Sequence, residues 1–297
     1  MSAAVVVSYR TPQLLLRCID SLLAQGREVE TVVVDNHSGN ETAAVLGDRP
    51  GIRLLEMPEN RGFGAAANAG AVLTKGDPLL ILNADVYLLP GCLQALQEAL
   101  DRRPDWGLAA PVLLNVDGSV QENSFRFPGL VQTLIDLAPA PSRLRRSRLN
   151  GRYPESWALT RDHEIDHPLG ACLLIRRAVW DRLGGFDTDY FMYCEEIDLC
   201  RRLRRSGWRS GHVHAAKAVH VGGASTRRAA GAMTEELYIS RVKYHRKHSS
   251  AGAAALNKAL IVGGLLLRGV ASLPVPGPDR RAAGRHWLSA CLRAALA

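Results

Sequence analysis

The chain has 297 residues, 47% of them hydrophobic and 22% charged. That supplies enough apolar surface for one large core or two joined ones, and it excludes a disordered or collagen-like polypeptide. The formal charge of +8 is uneven: residues 1–140 hold 10 Lys/Arg against 16 Asp/Glu, net −6, and the remainder 27 against 13, net +14.

MSAAVVVSYR at the start has no basic leader and too short an apolar run for a signal segment, so AAVVVSY (3–9) reads as a first buried strand and export is not expected. PQLLLRCIDSLLAQG (12–26) carries apolar residues at helical spacing between a proline and a glycine, and ETVVVDN (30–36) reads as a second strand. TAAVLGD then predicts a short helix, IRLLEMP a strand, GAAANAGAVLTKG a helix, PLLILNAD a strand and GCLQALQEALDRRP a helix. Strands alternating with helices at this spacing predict a mainly parallel sheet with helices on both faces. From DWGLAAPVLLNVDGSVQ onward the pattern changes to shorter strands, and residues 126–168, rich in Pro and Arg, read as a long irregular insertion. Order returns at PLGACLLIRRAVWDRLGGFD. ALNKALIVGGLLLRGVASL (255–273) is apolar but interrupted by Lys258, Gly263-Gly264 and Arg268, which predicts an interfacial or packed helix rather than a spanning one. There is no internal repeat.

Six cysteines, Cys18, Cys92, Cys172, Cys194, Cys200 and Cys291, form no CxxC pair and no zinc-like spacing, which fits reduced thiols in the cytoplasm. The basic clusters RLRRSR (143–148), RRLRR (201–205) and RVKYHRKH (241–248) fit solvated faces, nucleic-acid contacts or a footing on anionic lipid.

LLILNADVYL (79–88) runs an apolar strand into Asp85. Asp35 and Asp85 both fall at strand ends, the edge where open α/β sheets bind ligands and where a carboxylate meets water, a cation or a substrate. NRGFGAAANAG (60–70) formally fits a dinucleotide fingerprint, but it lies in the third crossover with PEN before it. What it retains is a glycine-rich turn at a helix start that can approach an anion, with Arg61 nearby, or that merely packs closely. FMYCEEIDLCRRLRRSGW (191–208) crowds Glu195, Glu196 and Asp198 into four residues at a predicted helix N-terminus. The dipole explains one or two of them, and a general base facing a cleft explains the rest. AVHVGGAST (218–226) sets His220 between a short strand and a Gly-Gly turn, either as a structural histidine or as a partner of an aspartate on a cation.

The segments VVVSYRT, VVVDNHSGN, NRGFGAAANAG, LLILNADV, PLGACLLIRRAVWDRLGGFDTDYFMYCEEIDLCRRLRRSGW and VHVGGAST together resemble the family 2 glycosyltransferases of GT-A fold, most of all the bacterial rhamnosyltransferase-like members, over residues 3–248. The resemblance implies a GT-A-type, Rossmann-like mixed α/β sheet with a C-terminal helical extension. It divides the matched stretch into a nucleotide-sugar-binding half (1–105) and an acceptor-binding and catalytic-base half of the same domain (106–250), while the interrupted apolar segment and the basic charge make 251–297 a C-terminal helical extension expected at the membrane surface. It implies that Ser8, Tyr9 and Asp35 hold base and ribose, and that Arg61 and Asn68 lie beneath the nucleotide. Asn83-Ala84-Asp85 stands for the DxD metal motif with its first carboxylate replaced, so that Asn83 assists by hydrogen bonding. Asp85 and His220 would hold Mg²⁺ or Mn²⁺. Glu196, or else Glu195, would be the base, with Asp198 in the same cluster.

The activity implied is inverting transfer of rhamnose or another hexose from a nucleoside diphosphate sugar to a saccharide or lipid-linked acceptor in cell-surface polysaccharide synthesis. The expected setting is the cytoplasmic face of an anionic membrane, bound peripherally, with no nucleic-acid partner. A sugar-nucleotide nucleotidyltransferase is the alternative, although SYRTPQ lacks the glycine-rich cradle that triphosphate chemistry needs. A non-catalytic sugar- or lipid-binding module is the other.

Overall fold

A computed structural model describes the chain except residues 27, 40, 48, 139, 223–229 and 273–277, with the side chains of 230, 272 and 278–285 also outside the description. The chain forms two compact units: Met1–Phe125 with Pro154–Asp189 and Glu195–Ser225, and Arg126–Tyr153 with Tyr190–Cys194 and Thr226–Ala297.

The first unit opens with β1 (Ser2–Ser8), α1 (Pro12–Leu23), β2 (Val29–Asp35), α2 (Glu41–Leu46), β3 (Ile52–Glu56), α3 (Phe63–Val72), β4 (Leu79–Asn83), β5 (Val86–Leu88) and α4 (Cys92–Arg102). It continues with β6 (Trp106–Leu114), β7 (Val120–Gln121) and β8 (Ser124–Phe125). All seven residues of β1 are buried, which is why its sequence is apolar without alternation. Pro12 starts α1, and Leu15, Cys18, Ile19 and Leu22 face the sheet at the spacing of one helical stripe.

The short α5 (Leu130–Leu137) and α6 (Ser142–Arg145) belong to the second unit, and α7 (Glu155–Thr160), β9 (His163–Ile165), β10 (His167–Pro168), β11 (Cys172–Ile175), α8 (Arg177–Leu183), α9 (Glu195–Arg205) and β12 (Arg209–His220) return to the first. The main sheet runs β3-β2-β1-β4-β11-β6-β12-β5, with β7 on β6 and β9 on β12. β1 is parallel to β2 and β4, β11 is antiparallel to both β4 and β6, and β12 is parallel to β6. It follows that β1, β2, β4, β6 and β12 all point their carboxyl ends to one edge. Ser8, Asp35, Asn83, Leu114 and His220 end there.

Two expectations change here. The region after residue 105 is not built of short strands alone, since β6 has nine residues and β12 twelve. Residues 126–168 are not an irregular loop: they hold α5, α6, α7, a 3₁₀ turn at Arg148–Asn150, β9 and β10. Each piece is too short to show a period.

The second unit adds α10 (Ala230–His248), α11 (Ala251–Ser272) and α12 (Pro278–Leu296). Leu137, Tyr238, Val242, Ile261, Leu265, Ala290, Cys291 and Ala294 form its core. Gly264 lets α11 meet α5, since a Cβ there would lie 3.0 Å from Leu137 Cβ, and Arg241 pairs with Asp136 at 2.7 Å. The helical extension expected from 251 therefore packs as one body with α10 and α5.

Candidate active site

The carboxyl edge of the sheet collects most of the residues singled out in the sequence. Ser8 and Asp35 are paired neighbours at the ends of β1 and β2. Asp35 is buried and accepts hydrogen bonds from the Ser38 backbone N–H at 3.2 Å and from Thr42 Oγ1 at 3.0 Å. Ser8 Oγ and Asn83 Oδ1 are buried with no hydrogen-bond partner among the described residues. Both atoms are therefore available to hydrogen-bond a ligand at this edge of the sheet. Tyr9 follows Ser8, with the Arg10 guanidinium 5.1 Å from its ring centroid. Asn36 and Asn60, which the sequence reading passed over, shape the neighbouring loop. Asn36 donates to Asn60 Oδ1 at 2.9 Å and accepts from the Arg61 backbone N–H at 3.2 Å. The Arg61 side chain is left 58% exposed, 3.7 Å from Glu59.

The glycine-rich turn after residue 60 starts α3 at Gly62, whose φ is 85°, a conformation that disfavours any side chain. The small residues beyond it serve close packing: a Cβ on Gly70 would meet Val5 at 2.5 Å and Val34 at 2.7 Å. Asn68 has its amide engaged, donating to Phe186 O at 2.8 Å and accepting from Phe186 N at 2.9 Å. That contact suits Asn68 to holding the GGFD turn rather than to a nucleotide.

Asp85 follows β4, and its Oδ1 lies 3.4 Å from Nε2 of His220, both side chains nearly buried. An oxygen and an imidazole nitrogen at that separation suit neighbouring positions around a hard divalent cation, whose ligands at about 2.1 Å and right angles sit roughly 3 Å apart. No group of three or more His, Cys, Asp or Glu placed to hold a metal ion is found among the described residues, so these two would be the protein's share. The Gly-Gly turn after His220 is half outside the described residues, at 223.

At the head of α9, Glu195 and Glu196 are 5% and 8% exposed and Asp198 is wholly buried. Arg202, Arg204 and Arg205 occupy the last turn, so both ends complement the helix dipole. Asp198 binds Arg202 Nε at 2.7 Å, and the same guanidinium donates to Leu183 O at 2.7 Å and Gly185 O at 2.8 Å. Asp198 thus braces α9 against the GGFD turn, and a buried carboxylate already engaged by a guanidinium is ill-suited to taking a substrate proton. The glutamates differ from it. Burial raises the Glu195 carboxyl well above the usual range, with the charge of Glu196 adding to the effect. Burial also raises Glu196, to about 7, against the pull of its own and the Ile197 backbone N–H groups. Glu195 Oε2 has no hydrogen-bond partner among the described residues. A Cβ on Gly170 would lie 3.3 Å from Glu196 Cβ, so PLGA brings a bare backbone against this carboxylate. Tyr193 and Cys194, just before the helix, both have φ of 67°, a conformation that costs about 1–3 kcal/mol in such residues and tends to occur at functional positions.

A buried carboxyl raised toward 7 is the kind of group that acid–base chemistry uses. The family model for glycosyl transferase family 2 matches residues 3–183, and the chain belongs to that family; it is a glycosyltransferase. It is 32% identical over 237 residues to the N-acetylglucosaminyl-diphospho-decaprenol L-rhamnosyltransferase of Mycobacterium tuberculosis (strain CDC 1551 / Oshkosh), covering 75% of this chain and 77% of that one. It is 46% identical over 224 residues to rhamnosyltransferase WbbL of Escherichia coli (strain K12), covering 73% and 81%. The fold is similar to that of mannosyltransferase PcManGT from Pyrobaculum calidifontis, solved in complex with GDP-Man and Mn²⁺, with a TM-score of 0.59 at 16% identity, covering 99% of this chain and 86% of that one. The family favours the transferase over the nucleotidyltransferase and binding-module readings.

Proposed function

We propose that the chain transfers a hexose, rhamnose first among the candidates, from a nucleoside diphosphate sugar to a hydroxyl of a lipid-diphosphate-linked saccharide, with inversion, in the synthesis of a cell-surface polysaccharide. The observation that carries the reading is the buried Glu195–Glu196 pair at the head of α9 in a chain of this family. Glu196 takes the proton of the acceptor hydroxyl as its oxygen attacks the anomeric carbon from the side opposite the diphosphate. Glu195, more strongly raised, keeps its proton and leaves the charge to its neighbour. Ser8, Tyr9 and Asp35 hold base and ribose, and Arg61 faces the diphosphate. Asp85 and His220 hold a divalent cation, Mg²⁺ or Mn²⁺, with Asn83 as a hydrogen-bonding aid. The cation, when bound, neutralises charge on the departing diphosphate. The names of the two rhamnosyltransferases support sugar and acceptor class, and the Mn²⁺ in the mannosyltransferase structure supports the metal. A lipid-linked acceptor supports a peripheral position on the cytoplasmic membrane surface.

Thermal shift with a panel of nucleoside diphosphate sugars tests the donor site, because a ligand specific to the folded state raises apparent stability. One donor is expected to raise Tm, and more so with Mn²⁺ or Mg²⁺ than with chelator. Consumption of a sugar phosphate and a nucleoside triphosphate to make a sugar nucleotide would contradict the proposal.

A further inference from the structure

His220 does not meet Asp85 alone. Its other ring nitrogen, Nδ1, lies 2.7 Å from Oε1 of Gln121 in β7. Gln121 Nε2 donates to Asn115 Oδ1 at 3.2 Å, Asn115 Nδ2 donates to Ser119 Oγ at 2.9 Å, and Ser119 Oγ donates to Asp117 Oδ1 at 2.6 Å. The chain of bonds runs through the turn NVDGSVQ between β6 and β7. That turn is closed by Asn115 N–H to Ser119 O at 2.8 Å, while Gln121 is paired with Leu113 of β6. β6 in turn lies beside β12, which carries His220 at its end.

The direction of every bond follows from the last acceptor. The Ser119 hydroxyl and backbone N–H both donate to Asp117, and the hydroxyl bond is the first cause holding that carboxyl below its usual range. An ionised carboxylate only accepts, so Ser119 is the donor and its oxygen is left to accept from the Asn115 amide. Asn115 Oδ1 then accepts from the Gln121 amide, and Gln121 Oε1 is left to accept from His220. A flipped Gln121 would set two carbonyl oxygens against each other 3.2 Å apart.

We infer that Gln121 is a positioning residue that fixes His220 as the Nδ1–H tautomer, so that Nε2 presents its lone pair beside Asp85 to a divalent cation. The inference rests on the reading of Asp85 and His220 as cation ligands and adds what that reading lacks: a reason for the ring to offer Nε2. Two acceptors 3.4 Å apart, the carboxylate and the bare nitrogen, repel each other until a cation lies between them. The 2.7 Å bond to Gln121 outweighs the longer approach to Asp85 that would otherwise draw the proton to Nε2. Metal-binding histidines commonly have their second nitrogen held in this way.

The test is ¹⁵N NMR of histidine-labelled full-length protein without metal at pH 8, with the His220 signal assigned by its loss in His220→Asn. It is paired with Mn²⁺ titration, followed by electron paramagnetic resonance, in the presence of UDP, GDP or dTDP. Wild-type His220 is expected to be protonated on Nδ1. Gln121→Met should move the proton toward Nε2 and weaken Mn²⁺ binding about 10–100-fold. Gln121→Glu keeps an oxygen that accepts from Nδ1 while its other oxygen loses the Asn115 bond, and should retain the Nδ1–H tautomer. A wild-type His220 protonated on Nε2 would overturn the inference, and that result does not depend on the Gln121 variants. So would a Gln121→Met protein with the same tautomer and Mn²⁺ affinity within about twofold of wild type, against the loss expected when the group holding a metal-binding imidazole is removed. Wild-type protein that binds no Mn²⁺ with any of the three nucleotides would instead overturn the cation reading of Asp85 and His220, while the metal-free tautomer measurement still stands on its own.

Discussion

At Glu195 and Glu196, desolvation and catalysis pull on the same two protons. Both carboxyls are raised by burial, Glu196 to about 7 from an ordinary 4.5, so between those values the folded chain holds protons that the unfolded chain releases. Their contribution to stability is therefore full below about pH 4.5 and is lost as pH rises through the folded values. Glu196→Gln is expected to raise stability at pH 8 by on the order of 1–3 kcal/mol and to change little at pH 4.5, read by denaturant melts at the two pH values. The same substitution should lower turnover by roughly 10²–10⁴ with donor affinity intact, and wild-type turnover should climb as pH rises toward 7 and beyond. Full turnover in Glu196→Gln with loss in Glu195→Gln would move the base by one residue. Asp85→Ala and His220→Ala should each weaken Mn²⁺-dependent donor binding in calorimetry without changing the chelator-treated baseline.

Among the elements, α3 shows how tightly the donor half is set. Its helix lies on β1 and β2 with no room for a methyl group at Gly70, where Val5 and Val34 already stand. Gly70→Ala should cost about 1–3 kcal/mol by forcing the helix off the sheet, measured by chemical denaturation, despite the better helix propensity of alanine. The β1–α1–β2 opening and the strands before Asp35 and Asp85 were legible in the sequence, because a strand buried on both faces writes a continuous apolar run. The pairing of β6 with β12 was not, since parallel partners so distant in the chain share no local signal. Nor were α5 and α6, at eight and four residues, long enough to display a period. Among the candidate residues, the strand-end aspartates, His220 and the Glu195–Glu196 pair could be singled out by residue type and place. Gln121 could not, because a glutamine in a two-residue strand gains meaning only from the imidazole folded against it. Asn68 and Asp198 were read as site residues for the opposite reason: their polarity is visible in sequence, and the partners that occupy them are not.

Over the whole molecule the basic charge gathers in residues 141–297, net +14, and the second unit exposes Leu256, Leu266, Leu267 and Val270 on α11 and Leu292 and Leu296 on α12. Ala251–Ala271 is long and apolar enough to cross a bilayer by length and composition, with a mean hydropathy of 1.4, yet Ile261 and Leu265 are buried in the unit's own core. Surface attachment, as proposed, would keep this core, with each Lys or Arg near an anionic surface adding about 1 kcal/mol. Sedimentation with anionic vesicles should therefore be strong at low salt, weaker at high salt and weaker again in the double variant Leu267→Glu, Val270→Glu. Resistance to alkaline carbonate would mean an inserted helix instead.

The account stands or falls most directly on transfer itself. Full-length protein, a nucleoside diphosphate sugar chosen by the thermal-shift panel and a lipid-diphosphate-linked N-acetylglucosamine acceptor should give acceptor-dependent release of nucleoside diphosphate. The NMR coupling and nuclear Overhauser pattern of the product should show the anomeric configuration opposite to that of the donor. A product that retains the donor's configuration, or release that does not depend on the acceptor, would contradict it.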